Sequence, residues 1–142
     1  MMFLGASIAA VSSAQARNVK YVLPISAALQ SPGGAGKIDN SVKFFFGPQP
    51  HPAASKMGAA DVSGKARIEK KIDIASCQLA FAEALQSLQK NAVAAGANAV
   101  VNIVSYHKND PETSSATEFE CRAGSFSTIV MLKGELVKLS EK

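Results

Sequence analysis

The chain has 142 residues, 47% of them hydrophobic and 18% charged, and its 15 Lys and Arg against 11 Asp and Glu give a formal net charge of +4. That apolar fraction excludes an intrinsically disordered chain, and the length accommodates one domain with a real core while leaving little room for two. The basic residues are spread along the sequence, with Lys70-Lys71 the only adjacent pair, so the charge describes a solvated surface and gives no footprint for nucleic acid.

Residues 1–16 carry no charge, are apolar in the middle and end in Ala14-Gln15-Ala16, the small-x-small pattern of a signal-peptidase site. The basic residues that usually open such a leader are missing. The expectation is export, with a mature chain that begins at Arg17 and is soluble in the periplasm. No cysteine follows the cleavage pattern to carry a lipid, and no second apolar run reaches the roughly 18–20 residues that cross a bilayer.

Asn18–Ile25 reads as an edge strand whose pairing Pro24 limits. Residues 31–36 and 47–64 are rich in Gly, Pro, Ala and Ser and read as loops, with a short strand at Ser41–Phe46 between them. Residues 64–72 read as a second edge strand because of their polar content. From Ser76 to Ala95, Cys77, Phe81, Leu85, Leu88, Ala92 and Ala95 recur at spacings of three and four, which predicts a helix with one apolar face. Ser76 is its expected N-cap, and Gly96 is expected to close it in the left-handed conformation. The β-branched run Ala97–His107 is the clearest strand. A polar turn at 108–115 follows, then strands at Thr117–Arg122 and Ser127–Leu139 separated by a bend at Ala123-Gly124-Ser125. The predicted class is α+β: a small, mainly antiparallel sheet with one long helix packed on one face. Residues 17–61 supply an N-terminal strand and loop region, and residues 62–142 the α+β core, the two forming one domain.

Cys77 at the helix start and Cys121 in a later strand are expected to meet at the helix–sheet interface and form a disulfide in an oxidising compartment. The rival is a reactive thiol at Cys77, but the chain lacks the Cys-x-x-Cys spacing of thiol oxidoreductases. His51 and His107 are the weak candidates for metal ligands, since neither shares a short ligand spacing with the other or with a cysteine. Gly33-Gly34-Ala35-Gly36-Lys37 departs from the phosphate-loop spacing, with Ser31 where a glycine is needed and Ile38 where a hydroxyl is needed. No nucleophile elbow or carboxylate pair can be argued, so no catalytic residue and no cofactor is expected.

Ala95-Gly96-Ala97-Asn98-Ala99-Val100-Val101, preceded by Val62-Ser63-Gly64-Lys65-Ala66 and followed by Leu132–Leu139, resembles the motifs of the YbjQ-like and RcsF-like family of small bacterial domains. The resemblance spans roughly residues 62–139. It implies the strand–helix–strand order above, and in exported RcsF-like members an envelope-stress role with disulfides, one of which Cys77 and Cys121 resemble. A second disulfide pair and a lipidated cysteine have no counterpart here. Ring-forming cytoplasmic relatives make a homo-oligomer an expectation as well. The function expected from these readings is a non-enzymatic periplasmic binding or sensing protein that engages another envelope component. The alternative is a small-ligand or metal-binding protein using His51 and His107.

Overall fold

Residues 17–140 are described by the computed structural model, and the leader expected at 1–16 lies outside the described residues. In chain order the elements are β1 (Val19–Pro24), α1 (Ile25–Gln30), β2 (Lys43–Phe46), β3 (Ala54–Arg67), α2 (Asp73–Ala94), β4 (Ala99–Tyr106), β5 (Glu118–Ala123) and β6 (Ser127–Leu139). The strands form one sheet ordered β1-β5-β6-β4-β2, with β3 paired along the other flank of β6. The class is α+β. The sheet is mixed: β2 runs parallel to β4, while the remaining pairs are antiparallel. The chain reaches β4 from β2 only after β3 and α2, and a connection of that length lets a strand return in the same direction.

The core lies between α2 and one face of the sheet. Cys77, Ala80, Phe81, Ala84, Leu85, Leu88 and Ala92 are wholly buried, at the spacing read from the sequence. The small residues let the helix backbone approach the sheet. A Cβ on Gly64 would stand 1.9 Å from the Ala80 carbonyl oxygen, so glycine is required where α2 crosses β3. Phe81 stacks on Phe119 with ring centroids 4.1 Å apart and meets Phe46 at 6.0 Å, tying α2 to β5 and β2.

Several expectations are corrected. Residues 54–63, read as loop, form most of β3, which pairs with β6 along its length, with one register shift at Met57, despite its Gly and Ala content. The strand read at 64–72 is the end of β3 and stops at Arg67, and the division at residue 61 falls inside that strand. Ile25 leaves the first strand and opens α1, which was not foreseen. Helix α2 begins at Asp73, ahead of Ser76, and Ile72 at its N-cap makes no side-chain cap bond. Ser76 is instead buried, its hydroxyl donating to the Ala66 carbonyl at 3.0 Å and accepting from Thr128 Oγ1 at 2.8 Å. The far end of α2 follows the sequence: Gly96 has φ +76, its N–H donates to the Val93 carbonyl, and that of Ala97 donates to the Ala92 carbonyl.

Candidate binding groove and charged sheet face

Cys77 and Cys121 are joined by a disulfide between the first turns of α2 and the middle of β5, with Cα atoms 5.8 Å apart. Both residues are wholly buried, which keeps the sulfurs from exchange with external thiols. The bridge belongs to the frame of the fold.

His51 and His107 occupy different surroundings. His51 is exposed, its Nδ1–H donates to the Pro52 carbonyl at 2.8 Å, and its ring meets Phe45 edge-on at 5.7 Å. His107 directly follows β4, with its Nδ1 buried and unpartnered. Burial pushes its pKa down, Arg122 and Lys108 push it further, and Asp110 and Glu120 oppose the shift. Two cations beside the imidazole disfavour a metal ion as they disfavour a proton. No group of three or more His, Cys, Asp or Glu side chains suited to a metal occurs among the described residues.

The sheet face away from α2 carries charges that the sequence reading did not single out. Strand alternation turns Phe119 and Cys121 to the core and Glu120 and Arg122 to the opposite face. Glu120 is only 2% exposed; Lys20 Nζ and Arg122 Nη2 both lie 3.2 Å from its Oε1, while Oε2 is buried without a partner. Arg122 also reaches Asp110 at 2.7 Å, which fastens the 107–117 turn to the sheet. On the same face Tyr106 donates to Asp61 under the Lys133 ammonium, 4.2 Å above its ring; burial first, and then Asp61, push the phenol pKa up to about 12. The signal in the sequence was the alternation itself, since a Glu between Phe119 and Cys121 must face away from the core.

The candidate binding site is a groove beside β2. The run Phe44-Phe45-Phe46 divides its rings: Phe46 is buried against Phe81, whereas Phe44 and Phe45 are half-buried. The segment from Ser31 to Val42 folds against them through a tight turn, where a Cβ on Gly34 would stand 2.0 Å from the Ala28 carbonyl oxygen. Between that segment and β2 lies a cavity of about 610 Å³ lined chiefly by Leu29, Ile38, Val42, Phe44 and Leu85. That volume falls within the roughly 300–1,000 Å³ of ligand pockets. Asp39 and Lys43 supply charge of both signs among the lining residues. Hydrogen bonds from Ser41 hold the Asp39 carboxyl below its usual pKa, so it stays ionised. Because β2 ends the strand order, its outer edge has no strand partner among the described residues. The Lys43 N–H donates to the Asn98 carbonyl at 3.1 Å on the β4 side, and Gln49 accepts from the Phe46 N–H at 3.1 Å, which by strand alternation leaves Phe44 as the residue whose main chain faces the open edge.

No family model matches the sequence, and no curated protein matches it. Among solved structures the chain is similar to a protein of unknown function of the DUF74 family from Pediococcus pentosaceus ATCC 25745, at 12% identity and a TM-score of 0.46, over 70% of this chain and 96% of that one.

Proposed function

We propose that this protein is a non-enzymatic binding or sensing module of the cell envelope, exported to the periplasm, that holds an extended apolar segment of another envelope component along β2. The groove carries this reading: apolar walls, a charged pair in the lining, and an adjoining strand edge together match the way extended peptides add to sheets. Main-chain bonds at Phe44 supply affinity in this reading, and the pocket at Phe44 and Ile38 selects an apolar side chain. Export is supported by the apolar leader sequence and by a buried disulfide, which suits an oxidising compartment.

The test is a photo-crosslinking residue placed at Phe44 in cells, with the exposed α2 position Val93 as control. The expected result is one discrete adduct from Phe44, absent from Val93 and lost when Ile38→Asp closes the apolar pocket to its ligand. Equal labelling from both positions, or none from Phe44, contradicts the reading.

A further inference from the structure

One end of the molecule gathers exposed apolar and basic side chains from elements far apart in sequence. The turn between β5 and β6 presents Phe126, which is 82% exposed, and the Phe126 carbonyl accepts from the Ile68 N–H at 2.8 Å. That bond draws the turn leading into α2 alongside, and with it Ile72 (52% exposed) and Ile74 (49% exposed). Buried apolar surface is the norm for side chains of this size, and exposed ones grouped together mark an interaction surface. Arg67, Lys70 and Lys71 lie in the same turn before α2, all exposed, and Arg67 and Lys70 share a surface pocket with Ile72; Glu69, also exposed, is the acidic residue of that turn.

Lys70 and Lys71 stand in consecutive left-handed conformations, φ 53 and 59, a backbone that side chains other than glycine rarely adopt. The turn holds both ammonium groups at the surface. The other acidic side chain at this end, Asp73, is taken up internally by Arg17 and Tyr21, so it does not offset the lysines. Arg17 also donates to the Gly124 carbonyl at 3.1 Å, and so the described chain enters at this same end. The residues before it, 1–16, are uncharged and apolar in sequence.

We infer that this end is a membrane-surface contact: Phe126, Ile72 and Ile74 enter the interfacial layer of a bilayer, and Arg67, Lys70 and Lys71 lie against anionic lipid headgroups. An exposed aromatic and two exposed aliphatic side chains at the same end as three basic ones is the chemistry that lies in a bilayer interface. An acidic protein surface would meet the lysines but leave Phe126 no apolar layer to enter. The contact is separate from the groove along β2, and either can fail without the other.

The chain contains no tryptophan, so Phe126→Trp installs a single reporter at an exposed position that the fold tolerates. With the protein in the form recovered from cells, vesicles containing phosphatidylglycerol are expected to shift its emission to the blue, and pure phosphatidylcholine vesicles are not. Raising salt should reverse the shift, because exposed charges are screened beyond about 8 Å at physiological ionic strength. Lys70→Gln with Lys71→Gln should weaken vesicle binding by roughly 30-fold, from about 1 kcal/mol for each basic residue at an anionic surface. Phe126→Ser in the otherwise native chain should weaken cosedimentation with the same vesicles. Unchanged emission with anionic vesicles, or binding unaffected by the lysine changes, overturns the inference. A blue shift without vesicles that grows with protein concentration overturns it too, and assigns this end to a second copy of the chain.

Discussion

At His107 the local charges set a measurable pH dependence. Burial and the neighbouring Arg122 and Lys108 outweigh Asp110 and Glu120, so the imidazole in the folded chain protonates below its ordinary value of about 6.5. The unfolded chain therefore takes up the proton first as pH falls. Stability contributed by the neutral ring is complete above about 6.5 and is lost as pH drops through the lowered folded value. Melting temperature should fall across that window in the native protein and stay flatter in His107→Gln, as followed by circular dichroism; an equal fall in both would remove His107 as the cause. Asp73 works in a lower window. The Arg17 guanidinium, and next the Tyr21 hydroxyl, hold its pKa below the usual carboxylate range, so its contribution is present at neutral pH and fades only as pH falls through that lowered value.

Among the elements, α2 and β5 depend on each other through Cys77 and Cys121, which close a loop of 44 residues. In the chain-entropy description a loop of that size stabilises the fold by about 4 kcal/mol, a large share of the 5–15 kcal/mol typical of a domain. The paired change Cys77→Ala and Cys121→Ala should lower unfolding stability by that order in denaturant titration and raise the slope, because the unbridged denatured chain exposes more surface; a loss under about 1 kcal/mol would mean that packing of α2 alone fixes β5. Much of this layout was legible because it rests on local rules. The three-and-four spacing from Cys77 to Ala92 gave the buried face of α2, Gly96 gave its end, and the β-branched run gave β4. The rest depended on distant contacts. Ala54–Ser63 looks like loop because its small residues carry little strand preference, yet β6 pairs with it along its length, and Gly64 is there because α2 passes directly over it. The hydroxyl of Ser76 looked like a cap and is consumed by Ala66 and Thr128, partners that no local pattern reveals. The groove was hidden for the same reason: Phe44-Phe45-Phe46 reads as a strand, and only the packing of the 31–42 segment shows that Phe44 keeps a half-open face.

For the whole molecule, the proposed envelope role brings together the disulfide, the groove and the basic, apolar end. A buried bridge frames the fold, one sheet edge is open beside an apolar cavity, and another end presents Phe126 with Lys70 and Lys71. No helix among the described residues is long and apolar enough to cross a membrane. The central claim is that the chain works outside the cytosol as a bridged binding domain, and intact mass spectrometry of the protein taken from the periplasmic fraction, without reductant and after thiol alkylation, tests it most directly. The account expects a mass beginning at Arg17 with neither cysteine alkylated. A full-length mass carrying alkyl groups on both Cys77 and Cys121 would contradict it, placing the chain in a reducing compartment where the bridge does not form.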